Sequence, residues 1–258
     1  MKIKLIAKRQ YPALKSLYKE FEISDDAKIC IAVGGDGTFI EAARSFDGPI
    51  LPIRGEESGS TGYYSDIGLS KIDTIINKLK RNEYTIEELS KKIEIRYKDK
   101  TYFAVNEALL RNIVKEVFFK VYQVEKDKKK LLYPYLISGD GVLITGNVGS
   151  TAYNRNAHGP IILSEKVVCL NFLFTESLLS NPLVLNADSE ICVEVVKGRG
   201  SLMQDGISIA DMSAGESFYV KQSKEAVQII RLNGMKEGFS DKLARMINSK
   251  LITGVTQK

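Results

Sequence analysis

Lys28-Ile29-Cys30-Ile31-Ala32-Val33-Gly34-Gly35-Asp36-Gly37-Thr38 runs from a near-continuous apolar segment straight into a glycine-rich turn. Apolar residues at successive positions fit a strand covered on both faces, as in a parallel sheet. Helical spacing follows over 38–46, and a short strand over 49–53. Upstream, 2–8 alternates as a strand with Ile3, Leu5 and Ala7 on one face, and 12–21 sets Leu14, Leu17, Tyr18 and Phe21 at helical intervals. Downstream, 69–79 reads as an amphipathic helix. This βαβαβα rhythm predicts an α/β domain with an open sheet of doubly wound type.

The texture changes after Asn82. Strand-like stretches follow at 88–97, 101–110, 116–124, 131–138 and 167–173, then at 189–196, 201–203, 207–211, 217–221 and 227–232. Tight connections such as Lys98-Asp99-Lys100 separate them, and regularly spaced strands with turn signals predict an all-β second domain. The last segment, 240–251, reads as a helix with Leu243, Met246, Ile247 and Leu251 on one face, expected to pack back on the first domain. The expected division is 1–88 with 236–258 for the α/β domain and 89–235 for the β-rich domain.

Composition bounds the chemistry. A chain of 258 residues, 44% hydrophobic and 27% charged, buries two such cores without disulfide or metal staples. No apolar run approaches the ~20 residues that span a bilayer. The opening Met1-Lys2-Ile3-Lys4-Leu5-Ile6 has no signal-peptide core, so a cytoplasmic location without membrane attachment is expected. Cys30, Cys169 and Cys192 lie in apolar stretches and read as buried thiols; with a single histidine, His158, no zinc cluster is expected. The net charge of +5 is modest, and Lys126-Asp127-Lys128-Lys129-Lys130 reads as a solvated turn rather than a nucleic-acid patch, because no aromatics interleave.

Gly34-Gly35-Asp36-Gly37-Thr38 carries the strongest chemical signal. Glycines let the backbone approach a polyanion, and the following helix N-terminus favours phosphate. Asp36 within such a turn suits a group that accepts a proton from a hydroxyl, or one that reaches a phosphate-bound cation. The competing reading is a tight strand-to-helix turn whose Asp caps the helix. A second constellation is Gly139-Asp140-Gly141, then Gly149-Ser150-Thr151-Ala152-Tyr153-Asn154. It suits a nucleoside, with Tyr153 stacking and Thr151 and Asn154 hydrogen-bonding; the bland alternative is a β-turn followed by a polar loop. Asn106-Glu107, after a strand, suits an aminopurine edge and a ribose hydroxyl, or is a solvated strand end.

Taken in order, GGDGTF, NEALL, GDGVLITGNVGSTAYN, Gly159-Pro160-Ile161-Ile162 and Ser177-Leu178-Leu179-Ser180-Asn181-Pro182-Leu183-Val184 resemble the NAD kinase (ATP-NAD kinase) family over residues ~28 to ~235. GGDG alone also occurs in lipid kinases and phosphofructokinases; GDG followed by GSTAY is more specific. The resemblance implies a Rossmann-like α/β domain followed by a β-sandwich-like domain. It implies transfer of the γ-phosphoryl of ATP, or of polyphosphate, to the 2′-hydroxyl of the adenosine ribose of NAD, giving NADP. It further implies Mg²⁺ or another divalent cation and a homodimer or homotetramer. Since the sequence shows no carboxylate cluster for a dedicated metal cage, the triphosphate is expected to hold the cation.

The same resemblance implies Asp36 as proton acceptor and Gly34, Gly35, Gly37 and Thr38 as the phosphate and nucleotide cradle. Asn106 and Glu107 would bind the adenosine part of NAD, and Asp140 would reach NAD across a subunit contact. Thr151, Ala152, Tyr153, Asn154 and Asn156 would lie along the dinucleotide. Arg44, Arg54, Arg111, Lys115 and Arg155 are candidates for charge compensation, each against the reading of a solvated cation. The chain departs from the family at Thr145-Gly146-Asn147-Val148, at His158, in the loop 54–63 and at Ile207 after Asp205-Gly206. These departures point to a divergent member, of archaeal type. Two alternatives stand beside this reading: a kinase of the same superfamily acting on a lipid or sugar, and a dinucleotide-binding sensor without catalysis.

Overall fold

The computed structural model describes residues 1–55, 62–126, 128–176, 181–238, 240, 241 and 244. The chain divides into two compact units, Met1–Leu89 with Val227–Lys258 and Ser90–Ala226. The helix read over 240–251 lies largely outside the described residues.

The first unit begins with β1 (Lys2–Ala7), α1 (Leu14–Glu20), β2 (Glu22–Ile23), β3 (Cys30–Gly34), α2 (Asp36–Ser45) and β4 (Ile50–Arg54). β5 (Ile67–Gly68) and a 3₁₀ turn then lead into α3 (Ile72–Lys80). The strands run parallel in the order β2-β1-β3-β4, with β5 on β4. All five residues of β3 are buried, as the unbroken apolar run demands. On one side Ile31, Val33, Leu51 and Ile53 meet Leu14 and Leu17 of α1 and Ile72, Ile75, Ile76 and Leu79 of α3. α3 therefore presents a single stripe at intervals of three and four. α2 packs on β3 and β4 and buries Thr38, Phe39, Ala42 and Ala43.

β6 (Tyr84–Tyr97) carries the chain into the second unit. There follow β7 (Lys100–Ala104), β8 (Glu107–Asn112), β9 (Val117–Glu125), β10 (Lys128–Leu131), β11 (Ile137–Gly139) and β12 (Gly141–Thr145). A 3₁₀ turn at Gly149–Thr151 and the short α4 (Tyr153–Asn156) precede β13 (Val167–Leu173), β14 (Leu183–Asn186), β15 (Glu190–Lys197), β16 (Arg199–Gln204), β17 (Ile207–Ser213) and β18 (Ser217–Leu232). One sheet aligns β10-β9-β15-β18; the other is antiparallel in the order β14-β13-β12-β8-β16-β17. Their inner faces share a core that includes Phe119, Val121, Val193 and Phe218 from the first sheet and Ala108, Leu110, Val142, Ile144 and Leu170 from the second. Strand alternation then sends Glu107, Leu109, Leu143 and Leu173 to the opposite face of the second sheet. That face carries a small apolar cluster, Leu109, Leu143 and Leu173, covered by Tyr153, Ala157 and Met203.

Three strand readings are corrected. The run 101–110 is two strands, because the backbone amides of Val105, Asn106 and Glu107 leave the ladder for the carboxylate of Asp205. The run 131–138 breaks between β10 and β11. Segments 217–221 and 227–232 are one strand, β18, whose last residues belong to the first unit, where Ile229 pairs parallel with Ile50 of β4. The second unit accordingly ends at Ala226 rather than 235. All three cysteines are buried and free, and burial pushes the Cys30 and Cys169 thiols up to about 12 and about 11. No helix among the described residues is long and apolar enough to cross a membrane.

Candidate active site

In the first unit the glycine-rich turn stands at the C-terminal end of β3. Gly34 has a φ of +155°, and a Cβ there would collide with the Thr38 hydroxyl. The turn closes when the amide of Thr38 donates to the Gly35 carbonyl at 3.0 Å. A Cβ at Gly37 would meet nothing within 4 Å, so this face of the turn is open. The Thr38 hydroxyl oxygen is buried with no hydrogen-bond partner among the described residues.

Asp36 opens α2 as a half-buried carboxylate, and its Oδ1 accepts the backbone N–H of Tyr64 at 3.2 Å. Tyr64 is fixed in turn. Its ring stacks on Phe39 with centroids 4.4 Å apart, and its carbonyl accepts from Arg231 Nη1 at 3.0 Å. The same nitrogen lies 2.6 Å from Asp66 in a buried ion pair, both side chains 8% exposed. Arg54 pairs in register with Gly34 across β3 and β4, is half-buried, and has a buried Nη1 without a hydrogen-bond partner among the described residues. Of the five candidate cations, Arg54 is thus set beside the glycine turn. Arg111 and Lys115 are exposed, Arg155 is half-buried in the second unit, and Arg44, in the last turn of α2, is half-buried.

In the second unit the structure brings Asn106, Glu107 and the segment 149–154 together. Thr145 Oγ1 donates to the Asn106 carbonyl at 2.7 Å, and a Cβ on Gly149 would collide with that same carbonyl. Only glycine allows this approach. Ser150 ties the loop down by donating to the Asn147 carbonyl at 2.6 Å and accepting the Ile162 amide at 2.9 Å. Glu107 is 5% exposed, and its Oε2 is buried with no hydrogen-bond partner among the described residues. Burial first, and then the neighbouring Asp205 carboxylate, push its pKa up to about 8. Near neutral pH the isolated chain therefore holds this carboxyl largely protonated.

The remaining residues separate by environment. Asn154 is fully buried, and its side chain is engaged within the fold: it donates to the Pro160 carbonyl at 2.8 Å and accepts from Asn171 at 3.0 Å. Thr151 is buried and donates to the Val148 carbonyl at 3.0 Å. Tyr153 and Ala152 are half-buried, and Asn156 is exposed. His158 is exposed at a φ of 58°, in the left-handed stop that follows α4. Asp140 stands between β11 and β12 opposite Asn112, whose side-chain amide donates to it at 3.0 Å. From there to Glu107 is five residues along β8, about 17 Å. So Asp140 is not gathered with Asn106 and Glu107 in this chain.

Sequence reading missed Tyr64, Asp66, Arg231 and Asn171, all of which act through contacts distant in sequence. Asp205 was visible only as the Asp of an Asp-Gly pair, a two-residue hairpin signal. Among the described residues no group of three or more His, Cys, Asp or Glu side chains is placed to hold a metal ion.

Comparison with known proteins agrees with both units. Residues 6–84 match the ATP-NAD kinase N-terminal domain, and residues 119–232 match the ATP-NAD kinase C-terminal domain. An NAD kinase of Sulfurimonas denitrificans is 29% identical over 215 residues, covering 81% of this chain and 74% of the relative. An NAD kinase of Rhodococcus opacus is 30% identical over 226 residues, covering 84% and 68%. In fold, the chain is similar to a yeast NADH kinase solved with NADH, with a TM-score of 0.77 at 16% identity over 100% of this chain and 89% of that one. Carrying the domains of both halves in order, the chain belongs to the ATP-NAD kinase family, enzymes that phosphorylate NAD.

Proposed function

We propose that the NAD phosphorylation of this family member runs on Asp36 as proton acceptor, with ATP as phosphoryl donor. The ribose 2′-oxygen attacks the γ-phosphorus, and the bond from that phosphorus to the β,γ-bridging oxygen breaks. ADP leaves with the electron pair, and the 2′-hydroxyl proton passes to Asp36. The observation that carries this reading is the glycine turn: an open face over Gly37 and a carboxylate steadied by the Tyr64 amide. Gly34, Gly35 and Gly37 would present backbone to phosphate, the Thr38 hydroxyl would find its missing partner there, and Arg54 would offset developing charge.

Mg²⁺ or another divalent cation would supply further charge neutralisation on the phosphates. The chain's donor set fits a cation carried by the triphosphate: Asp36 is the acid at the turn, and no larger cluster accompanies it among the described residues. In the second unit Asn106 and Glu107 would hold the adenosine part of NAD, with Tyr153 against a ring and Ala152 along the same wall. Thr151 and Asn154 would shape that loop from within, because their polar atoms are engaged by Val148, Pro160 and Asn171. Asn156, exposed, would meet the far end of the dinucleotide. Asp140 would serve NAD bound by another copy, which requires a homodimer or homotetramer; a cytoplasmic location belongs to the same reading. No observation favours a lipid or sugar substrate, or a sensor without catalysis. The test is an NADP-formation assay with ATP, GTP and polyphosphate as donors and with NAD and NADH as acceptors. Turnover with ATP and NAD is expected, and dinucleotide binding without turnover under every donor would overturn the reading.

A further inference from the structure

The phosphoryl transfer proposed above does not use Asp205, yet its carboxylate accepts four backbone hydrogen bonds. It sits on the two-residue turn between β16 and β17, where Gln204 pairs with Ile207. Both turn residues have positive φ, 47° for Asp205 and 78° for Gly206, the geometry of a type I′ hairpin. From there Oδ1 accepts the amides of Asn106 at 2.7 Å, Val105 at 3.1 Å and Glu107 at 3.3 Å, and Oδ2 accepts Val105 at 3.0 Å. Its own amide donates back to the Glu107 carbonyl at 3.1 Å. One carboxylate thus clamps three successive amides about a hundred residues away in sequence. A capped nest of this kind fixes the path of the backbone more firmly than any single bond.

We infer that Asp205 is the positioning residue of the Asn106–Glu107 subsite, setting both where that backbone lies and how readily the buried Glu107 carboxyl gives up its proton. The inference rests on the reading that Asn106 and Glu107 hold NAD. Two separate observations converge on it: the amide clamp, and the buried Glu107 Oε2 without a partner. Asp205 is the charged group that faces Glu107. The other groups packed there, Thr145 on β12, Gln204 on β16 and the Gly149–Thr151 turn, are uncharged, and Cys169 beside Thr145 is a buried thiol held neutral. Removing the Asp205 charge therefore lets Glu107 ionise at lower pH, while loosening the backbone that presents it.

The test compares Asp205→Asn, Gly206→Ala and Glu107→Gln in the full chain, measuring kcat and KM for NAD and for ATP against pH, with thermal unfolding alongside. Asn tolerates the left-handed turn position, so Asp205→Asn keeps the hairpin. Expected are a KM for NAD raised about tenfold, since charge-assisted bonds are roughly twice as strong as neutral ones. KM for ATP stays put, and the inflection of pKM for NAD near pH 8 moves at least about half a unit to the acid side. Gly206→Ala strains the turn but leaves the carboxylate, so it lowers the unfolding midpoint without moving that inflection. If Asp205→Asn does not fold, Asp205→Glu keeps the charge on a longer arm and should raise KM for NAD with the inflection in place. The inference is overturned if Glu107→Gln raises KM for NAD while Asp205→Asn, or its Glu stand-in, matches the parent, or if Gly206→Ala moves the inflection equally. If Glu107→Gln leaves KM for NAD unchanged, the subsite reading itself fails, and this inference with it.

Discussion

Replacing Glu107 with Gln should stabilise the protein, and by more as the pH rises. The carboxyl is 5% exposed, its Oε2 lacks a hydrogen-bond partner among the described residues, and its pKa stands at about 8 against an ordinary 4.5. A raised carboxyl pKa means that the folded chain binds a proton more tightly than the unfolded one. The neutral acid is tolerated fully below pH 4.5, and stability is lost as the pH climbs from there toward 8. A tenfold difference in proton affinity corresponds to about 1.4 kcal/mol, so ionisation costs about 1 kcal/mol at about pH 5.5 and about 4 to 5 kcal/mol at about pH 8.5. Gln has nearly the same shape and does not titrate.

The quantity to measure is therefore the difference in unfolding free energy between Glu107→Gln and the parent, from urea melts across that pH range with a common slope. It should grow by about 3 kcal/mol in favour of the variant. Titrations elsewhere, the three thiols included, cancel in the difference. A gap that stays flat would refute the reasoning, because it would mean that Glu107 carries its charge in the folded state against a compensating partner. Saturating NAD should shrink the gap if the dinucleotide engages this carboxyl, since a ligand that binds only the native state adds to its stability.

Asp36→Asn should lower kcat by about a thousandfold, the range for loss of a general base, while calorimetric titration shows NAD affinity within about twofold of the parent. Arg231→Met removes one partner of a buried ion pair and should cost about 3 to 5 kcal/mol, seen as a lowered unfolding midpoint. It should also reduce kcat, because the Tyr64 carbonyl loses its Arg231 donor. Gly149→Ala drives a methyl into the Asn106 carbonyl and should raise KM for NAD more than it lowers kcat in the same steady-state assay.

How much of this was legible in the sequence depends on the range of each interaction. The buried strand 28–33 announces itself by its near-continuous apolar run and the helix after Gly37 by its spacing, and the structure follows with β3 and α2. The strand-like stretch 167–173 likewise announces β13. Periodicity fails where a side chain from elsewhere in the sequence competes for the backbone. Residues 101–110 look like one strand because nothing local shows that three amides will turn toward Asp205. Residues 227–232 look like more of the β domain, because a parallel partner such as Ile50 leaves no trace in their own pattern. Asn154 reads as a ligand contact for the same reason: the Asn171 that engages it lies on a strand 17 residues later.

Both candidate acids are held by this kind of long-range contact, and the consequence is specific. Asp36 takes its orientation from the Tyr64 amide, and Tyr64 is pinned through its carbonyl by Arg231 at the end of β18. Glu107 takes its place from amides clamped by Asp205 after β16. In each unit a carboxylate from early in the chain is set through the backbone by a charged residue from its last quarter. At Asp36 the donor is main chain and cannot be lost to a rotamer change, so the carboxylate is held without committing a second side chain. The arrangement also means that neither acid is set in place until β16 to β18 have formed. A chain stopped before residue 199 lacks Asp205 and Arg231 together, and it would retain the GGDG and GSTAY motifs while losing what orients both acids.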